Sequence, residues 1–453
     1  MSIHKPTVEG SLGSLPCPGP QGSLTAWLDY LYYLHAQKID LGLSRMQTMV
    51  LRLGIDFSEQ TVITVGGTNG KGSTVTMLES IYRAAGYSTA LHTSPHLLDF
   101  RERCRLDGEV VDEASLIQAF CEVEKARGEM TLSFFEYTLL AFFLIFKARR
   151  SEVIILEVGL GGRLDATNVI DSNAAVVVTV GIDHVGFLGD TREAIGAEKA
   201  PIYRAGCPAI CVDPEPPHSL VDYVQKIGAQ GIFFDKDFHA SIHLDGTWDW
   251  VGPVRGYESL PAPALGGRNQ YQNASGVIAT IEALQSRCAV GPMAIVEGLK
   301  SARLTGRFEP RDYHGAQCII DVGHNPHAAQ VLEGNLKALA DEGYELIALC
   351  GMLKDKDRQG VMNILASRFS HWVLVDLPTD RGGKASELYA CGLEAGIAPH
   401  QMTCSPSMNE ALQEALAYRA SREGKQVKIV IFGSFVTVEE ALKAMEKDPD
   451  PIR

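Results

Sequence analysis

The segment VGGTNGKGST, which ends at Thr74, has the residue types of a loop that binds phosphate. An apolar stretch precedes it and a helical pattern follows it, which predicts a strand, a glycine-rich turn and a helix start. Successive backbone N–H groups of such a turn face one anion at the positive end of the helix. A tight turn without a ligand is the alternative, and the lack of an N-K-x-D motif favours ATP over a guanine nucleotide. The residues expected around the phosphates are Thr68, Asn69, Gly70, Lys71, Gly72 and Ser73.

The residue after the lysine differs from the usual phosphate loop. In the pattern G-x-x-x-x-G-K-[ST], a hydroxyl directly after the lysine binds Mg²⁺. Here Gly72 follows Lys71, and Ser73 comes one position later. The sequence leaves open whether Ser73 contacts the metal, so other side chains are needed to hold it.

Three polar side chains follow predicted strands and can take this role. They are Ser94 in LHTSPHL, Glu157 in ILEVGL and His184 in VGIDHVG. The carboxyl ends of parallel strands meet at one edge of a sheet, so the three side chains can converge on one cation. Mg²⁺ prefers oxygen ligands, which makes an imidazole ligand unusual. Each residue also has an ordinary alternative: a helix cap for Ser94, an ion pair for Glu157 and a loop position for His184.

The elements that position these residues alternate between strands and helices, which predicts an α/β fold with a mostly parallel sheet. Residues 1–298 are expected to form a phosphate-loop ATPase-type domain, and residues 299–453 a smaller Rossmann-like α/β domain. A chain of 453 residues exceeds the size of most single cores, in agreement with two domains. The segment from Asp213 to Gly267 is rich in Pro and Gly, and its pattern is irregular.

Composition and charge limit the classes of function. Hydrophobic residues make up 45% and charged residues 21%, as in globular proteins. The net charge of -14 argues against a nucleic-acid partner, because an acidic surface repels phosphate. We expect no signal peptide, because the first residues lack a basic region followed by an apolar stretch. The apolar stretch Leu139–Phe146 is too short to span a membrane, and the ten cysteines lack metal-binding spacing. We therefore expect a cytoplasmic protein without a membrane partner.

A set of longer motifs occurs in order along the chain: GTNGKGS, LHTSPHL, FFEY, EVGLGGRLDATN, EKAPIYR, LTGRF, DVGHNPHAA and GMLKDKD. This set resembles the folylpolyglutamate synthase family, and the similarity extends over nearly the whole chain from Leu24. The family belongs to the wider group of ATP-dependent amide ligases that includes the cell-wall Mur ligases. The resemblance implies that ATP phosphorylates the carboxylate of dihydropteroate, or the terminal carboxylate of tetrahydrofolate and its glutamates. L-glutamate then displaces the phosphate and an amide forms.

The resemblance also implies two Mg²⁺ sites. Ser94 and Glu157 match ligands of the first site, and Glu157, His184 and Lys199 match ligands of the second. The family carries a CO2-derived carbamate on the lysine, which would make Lys199 an oxygen ligand, whereas spacing alone predicts a solvated helix lysine. Pro201 stands where the family usually has glycine. A proline disfavours helix at the preceding residue, Ala200, although the Lys199 side chain can still point toward the metal site. The expected catalytic residues are Lys71, His184 and Lys199.

Three further groups of residues match binding positions of the family. For the nucleotide they are Asn273, Arg307 and Asp321, and for L-glutamate they are His324 and Ser434. The ordinary alternatives are a surface position for Arg307 and a strand end for Asp321. For the pterin residues they are a helix-flanking loop and a turn after GLGG. The KIDLGL segment favours a member of the family that also accepts dihydropteroate. For the pterin the matching residues are Lys38, Ile39, Asp40, Leu41, Ser133, Leu164, Asp165 and Ala166.

Two other functions compete with the folate ligase. A Mur-type cell-wall peptide ligase shares the mechanism, but it should carry a uridine-binding domain before the phosphate loop, where the residues are too few for one. A regulatory phosphate-loop protein that only hydrolyses ATP would not explain the ordered Glu157, His184 and Lys199, nor a second α/β domain. Because relatives in the family are generally monomers, we expect a monomer.

Overall fold

The computed structural model describes residues 15–37 and 39–448, which form two compact units. The first unit holds the described residues up to Ala264 together with Tyr271–Ala302. The second holds Leu265–Gln270 and the described residues from Arg303 onward. The division therefore falls four residues beyond the position expected from the sequence, after the helix Pro292–Ser301 has ended. A Cβ at Gly298 would lie 2.4 Å from Ile81 Cγ1, so this helix packs tightly within the first unit.

Among the described residues, eight strands form the main sheet of the first unit. They are β1 Thr61–Gly66, β2 Thr89–His92, β3 Cys104–Leu106, β4 Glu109–Val110, β5 Val153–Glu157, β6 Ala174–Val177, β7 Pro208–Cys211 and β8 Gln230–Phe233. Their order is β4-β3-β2-β5-β1-β6-β7-β8. Six neighbouring strands are parallel, in the order β2, β5, β1, β6, β7 and β8, whereas β3 and β4 form an antiparallel edge. The central strands β1 and β5 are buried along their whole length, which explains their continuous apolar sequences.

Ten α-helices accompany this sheet among the described residues. They are α1 Leu24–Tyr33, α2 Ser44–Leu53, α3 Lys71–Ala84, α4 Glu113–Arg127, α5 Phe134–Arg149, α6 Val185–Leu188, α7 Arg192–Lys199, α8 His218–Ile227, α9 Asn269–Ala283 and α10 Pro292–Ser301. Only Asn269 and Gln270 at the start of α9 belong to the second unit. The apolar helix α5 is almost wholly buried and shares a core with α1, α2 and α4. No described helix is long and apolar enough to cross a membrane. All ten cysteines are free thiols.

The stretch from Asp213 to Gly267, irregular in sequence, contains regular structure. Besides α8 and β8 it holds a three-stranded antiparallel sheet, formed by β9 His239–Ile242, β10 Trp248–Val251 and β11 Gly256–Leu260. Trp248 and Trp250 of β10 are fully buried, and the Trp250 Nε1–H donates to the Ser275 carbonyl at 3.1 Å. The expectation of an irregular segment was wrong because tryptophans two residues apart were not recognised as one buried strand face.

The second unit is a six-stranded α/β sheet within the described residues. Its strands are β12 Glu309–Tyr313, β13 Ala316–Ile320, β14 Glu345–Cys350, β15 His371–Val375, β16 Met402–Ser405 and β17 Val427–Phe432. Its helices are α11 Pro326–Asp341, α12 Arg358–Leu365, α13 Ala385–Glu394, α14 Met408–Ala420 and α15 Phe435–Lys447. The strand order is β12-β13-β17-β14-β15-β16, and only β12 is antiparallel to its neighbour. The parallel arrangement agrees with the Rossmann-like architecture expected for this part of the chain.

Candidate active site

The glycine-rich loop joins β1 directly to α3. Gly70 caps the helix with a φ of 86°, and α3 begins at Lys71. A Cβ at Gly70 would lie 2.7 Å from Val178 Cγ1 and 2.8 Å from Asn273 Oδ1. Glycine is therefore required at this position for both conformation and space. The same geometry places Asn273, which was expected at the nucleotide, beside the loop.

Backbone and side-chain hydrogen bonds fix the shape of the loop. The Thr68 N–H donates to the Thr179 carbonyl at 2.7 Å, and the Thr68 hydroxyl donates to the Gly181 carbonyl at 3.0 Å. The Asn69 N–H donates to the Thr179 hydroxyl at 3.1 Å. The segment after β6 thus supports the loop. Sequence analysis missed Thr179, although a hydroxyl that follows a buried strand beside a phosphate loop is a usable signal.

The lysine of the loop lies over the loop backbone. Lys71 Nζ donates to the carbonyls of Gly67 at 3.0 Å and Thr68 at 3.2 Å. Gly72 and Ser73 follow in the first turn of α3 and are both buried. The ammonium group is therefore held at the mouth of the loop, where phosphate oxygens are expected.

Ser94 and Glu157 lie next to each other at the ends of neighbouring strands. Glu157 is the last residue of β5, and its side chain is buried. Its Oε2 accepts from the Ser94 N–H at 3.2 Å and also from the Thr93 hydroxyl. Ser94 caps none of the described helices, so that alternative is excluded. Two residues expected at the first metal site are thus brought together.

Lys199 is the last residue of α7 and is only 3% exposed. Desolvation by burial is the largest cause that lowers its pKa to about 7, and the charge of Lys71 is the second. The carboxylates of Asp183 and Asp165 act in the opposite direction. The alternative of a solvated helix lysine is therefore excluded. These interactions place the amine near the phosphate loop.

Pro201 changes the end of α7 without exposing the lysine. The helix ends at Lys199 and continues into a short 3-10 turn, Ala200–Ile202, with the proline in its first positions. A Cβ at Gly162 would lie 2.9 Å from the Lys199 carbonyl, so the GLGG turn packs closely on this helix end. The proline is accommodated because a turn, which lacks the next helical hydrogen bond, already begins there.

His184 lies in the loop that follows β6. It has a left-handed backbone with a φ of 52°, and its N–H donates to the Asp183 carboxylate at 2.8 Å. Within the described residues, no group of three or more His, Cys, Asp and Glu side chains could hold a metal alone. The expected donors still fit Mg²⁺, because this ion keeps water ligands and also accepts hydroxyl, phosphate and carbamate oxygens.

The residues expected at the nucleotide and glutamate in the second unit cluster at strand ends. Asp321 follows β13 and accepts from the backbone N–H groups of Gly323 at 2.7 Å and Phe308 at 2.9 Å. Burial raises the pKa of Asp321. The Arg307 guanidinium lies over the Phe435 ring, 5.4 Å from its centroid.

The two residues expected to bind L-glutamate lie near the same ring. The His324 ring centroid is 6.3 Å from that of Phe435. Ser434 caps α15, because its hydroxyl oxygen accepts from the Thr437 N–H at 3.0 Å. The sequence did not predict a role for Phe435 in this site, although Phe435 follows Ser434 in the GSF motif.

The residues expected at the pterin have structural roles of their own. Lys38 lies outside the described residues, whereas Ile39, Asp40, Leu41, Leu164 and Ala166 lie in loops or a short turn. Ser133 caps α5 through a reciprocal pair with Glu136. The Asp165 carboxylate accepts from the Leu160 N–H at 2.9 Å and the Thr167 hydroxyl at 2.6 Å. Both side chains thus shape turns, and their contact with a pterin stays a prediction.

The site and the fold together define a class of protein, the ATP-dependent amide ligases with Mur-type domains. The features that define it are the phosphate loop, the strand-end carboxylate, the buried lysine and the second α/β unit. The Mur ligase middle domain model matches residues 65–242, and the Mur ligase glutamate ligase domain model matches residues 306–435. The dihydrofolate synthase/folylpolyglutamate synthase of Escherichia coli (strain K12) is 38% identical, over 95% of this chain and 97% of the relative. The chain belongs to the dihydrofolate synthase/folylpolyglutamate synthase family.

Solved structures agree with this assignment. The structure of E. coli FolC in complex with DHPP and ADP has a TM-score of 0.88 and 38% identity, over 95% of this chain and 99% of that chain. The bifunctional enzyme of Yersinia pestis complexed with AMPPNP and Mn ion has a TM-score of 0.86 and 35% identity, over 95% and 99%. The expected fold class and the folate ligase function are confirmed. The cell-wall ligase alternative is related only at the level of the superfamily.

Proposed function

We propose that Lys71, Glu157 and Lys199 form one site in which ATP activates a pterin or folate carboxylate for attack by L-glutamate. The observation that carries this proposal is the buried amine of Lys199, whose pKa is lowered to about 7 by burial and then by Lys71. An amine with this pKa is partly neutral near pH 7, and the neutral amine attacks CO2. A nitrogen–carbon bond forms, an electron pair of one C=O bond moves to its oxygen, and the nitrogen releases one proton, so the neutral amine becomes an anionic carbamate with oxygen atoms that can act as ligands.

The chain supplies donors for two metal positions in this proposal. Ser94 and Glu157 would hold the first Mg²⁺, and Glu157, His184 and carbamylated Lys199 the second. Bound Mg²⁺ would neutralise charge on the phosphates of ATP. The hydrogen bond from the Ser94 backbone N–H to the Glu157 carboxylate supports the first position, because it holds the serine next to a carboxylate and Mg²⁺ prefers oxygen ligands.

The residues of the chain mainly position reactants in the proposed reaction. Lys71 and the loop N–H groups bind the phosphates, while an oxygen of the substrate carboxylate attacks the γ-phosphorus and ADP leaves. The amine of L-glutamate then attacks the carbonyl carbon of the acyl phosphate, phosphate leaves, and the amine loses a proton. Such transfers depend on alignment and charge neutralisation. Asn273, Arg307 and Asp321 would hold ATP, and His324 and Ser434 would hold L-glutamate.

The pterin would lie against the segment around Asp40 and the turns that contain Ser133 and Asp165. The Asp165 carboxylate acts against the lowering of the Lys199 pKa and is therefore near that amine, so a pterin bound beside Asp165 would lie close to the proposed ligation site. Ile39, Leu41, Leu164 and Ala166 would provide the remaining contacts, together with Lys38. The proposal also includes a monomeric enzyme that acts in the cytoplasm.

A ligation assay tests the proposal. The protein is incubated with ATP, Mg²⁺ and labelled L-glutamate, and either dihydropteroate or tetrahydrofolate is added. We expect label in both products and one ADP for each glutamate added, whereas reactions without a pterin substrate give no labelled product. ATP hydrolysis without incorporation of glutamate into either substrate would refute the proposal. Size-exclusion chromatography tests whether the protein is a monomer.

A further inference from the structure

A chain of polar contacts holds the segment between α1 and α2, of which the structure describes residues 34–37 and 39–43. We call it the Arg45 network. Its members come from two separate parts of the sequence and are His35, Asp40, Arg45, Thr131, Ser133 and Glu136. Only Asp40 and Ser133 match binding positions of the family, and the proposed reaction gives no role to the others.

Arg45 is the centre of this network. Its Nη1 lies 2.7 Å from the Asp40 Oδ2, and its Nη2 donates to the Asp40 carbonyl at 3.1 Å. Its Nε donates to the Glu136 carboxylate at 3.0 Å. Glu136 is 2% exposed, so its charge is compensated mainly inside the protein. One guanidinium thus joins the segment to the first turn of α5.

The other contacts extend the network at both ends. The Ser133 N–H and hydroxyl both donate to Glu136 Oε2, at 2.9 Å and 2.8 Å. His35 Nε2 lies 3.0 Å from Asp40 Oδ2, and its Nδ1 lies 3.0 Å from the Thr131 hydroxyl. Asp40 and Ser133, which are far apart in sequence, are therefore connected through Arg45 and Glu136.

The planar guanidinium is needed for this geometry. It presents donors in a fixed fork that can serve two carboxylates and a carbonyl at once, whereas a lysine ammonium is a single point of charge. A lysine at this position keeps the charge but cannot span Asp40 and Glu136 in the same way. The network therefore depends on the shape of Arg45 as well as on its charge.

The chemistry of the two substrates gives the network a selective role. In dihydropteroate the reacting carboxylate is attached to the aminobenzoyl ring, whereas in tetrahydrofolate it lies at the end of an added glutamate. If both carboxylates react at the same phosphorus atom, the two pterins cannot occupy the same position. A segment that contacts the pterin of dihydropteroate is then not needed in the same place for tetrahydrofolate.

We propose that Arg45 is a positioning residue for dihydropteroate, which holds the segment around Asp40 against the start of α5 and so favours this substrate over tetrahydrofolate. This inference rests on the proposed function, in particular on the pterin position. Arg45 acts through Asp40, Glu136 and Ser133 and does not itself take part in the chemistry.

The test compares Arg45→Lys with Arg52→Lys in the complete protein. Arg52 lies on the same helix, is exposed and donates to the carbonyls of Ala126 and Arg127, so it is a matched control. We expect Arg45→Lys to raise the KM for dihydropteroate about tenfold, equal to about 1.4 kcal/mol. The KM values for ATP and tetrahydrofolate should change by less than about twofold, and Arg52→Lys should change none of the three. Hydrogen exchange of residues 34–37 and 39–43 should be faster only in Arg45→Lys.

Two outcomes would overturn the inference: an unchanged KM for dihydropteroate, or an equal loss with both pterin substrates. If Arg45→Lys does not fold, Thr131→Val tests the exposed end of the network, and we expect about a threefold rise in the KM for dihydropteroate alone. An unchanged KM in that variant would also overturn the inference. Ligation by the wild type with both substrates is measured first, so failure of the proposed function is distinguished from failure of the role of Arg45.

Discussion

Lys71 and Lys199 lie close enough that the Lys71 charge, after desolvation by burial, is the second cause that lowers the pKa of Lys199 to about 7. Two cations near each other in a buried site repel each other strongly. The proposed reaction relieves this repulsion on both sides, because Lys71 would meet phosphate oxygens and Lys199 would become a carbamate. The pair therefore links the glycine-rich loop to the proposed second metal position.

Lys199→Ala should reduce ligation at least about 100-fold, because the proposed carbamate ligand is lost. A short carboxylic acid such as acetate should restore part of the activity by replacing the carbamate oxygens. In the wild type, the neutral fraction of the Lys199 amine falls as the pH falls through about 7. Added bicarbonate should therefore increase the ligation rate most below this pH, where carbamate formation is least favourable. Initial rates with and without bicarbonate measure both effects. Lys226→Ala, on the exposed side of α8, is the control, and normal activity of Lys199→Ala would exclude a required carbamate.

Lys199→Met should stabilise the protein in CO2-free buffer. The pKa of the amine is about 7 in the folded chain, against an ordinary value of 10.5, so between these pH values the folded state binds fewer protons than the unfolded state. Wild-type stability from this group rises with pH in that interval, and the cost of burial is largest below pH 7. We expect the variant to gain about 4 kcal/mol at neutral pH and much less at high pH. Urea unfolding at two pH values measures the difference, and an equal gain at both would contradict the assigned pKa.

Lys71→Ala should lower ATP turnover at least about 1,000-fold, because the charge that faces the phosphates is removed. Lys147→Ala is a suitable control, since Lys147 donates to the Leu53 carbonyl at an exposed position. A coupled assay of ADP release compares the two variants. Turnover at the wild-type rate in Lys71→Ala would refute the phosphate role of the loop lysine.

Asp213→Asn should raise the Mg²⁺ concentration needed for half-maximal activity, by about fivefold. Asp213 accepts from the Val180 N–H at 2.7 Å and from Arg192 Nη2 at 2.9 Å, and Arg192 Nε donates to the Val180 carbonyl at 2.8 Å. These bonds hold the loop 179–184, which ends in His184. Activity is titrated with Mg²⁺, with Asp222→Asn on exposed α8 as the control. A lower melting temperature without a change in Mg²⁺ dependence would show a purely structural role.

Phe435→Leu should raise the KM for ATP about threefold and leave kcat nearly unchanged, because the ring no longer holds the Arg307 guanidinium. Phe435→Tyr keeps an aromatic face and should behave as the wild type. Steady-state kinetics of ADP formation distinguish the variants. Equal KM values in the two variants would show that the ring does not orient Arg307.

Local patterns predicted the elements whose signals lie within one stretch of sequence. The glycines before Lys71 and the buried run of β5 predicted the loop and the strand that ends at Glu157, and the structure has both. Contacts between distant parts of the chain were beyond such patterns. The bonds from Arg45 to Glu136 and from Thr179 to Asn69 join residues far apart in sequence, and no spacing rule identifies them. Likewise, the burial of Lys199 depends on tertiary packing of a short helix whose own sequence is polar.

The short helix α7 fixes both the distance and the rotation between the residues at its two ends. Its first residue, Arg192, is bonded to the Val180 carbonyl, and its last residue, Lys199, is the buried amine. Each residue in an α-helix advances the chain by about 1.5 Å and turns it by about 100°. Insertion or deletion of one residue between these ends would therefore rotate the lysine out of the site even though every side chain was retained. The length of α7 is thus as much a part of the proposed site as the residues at its ends.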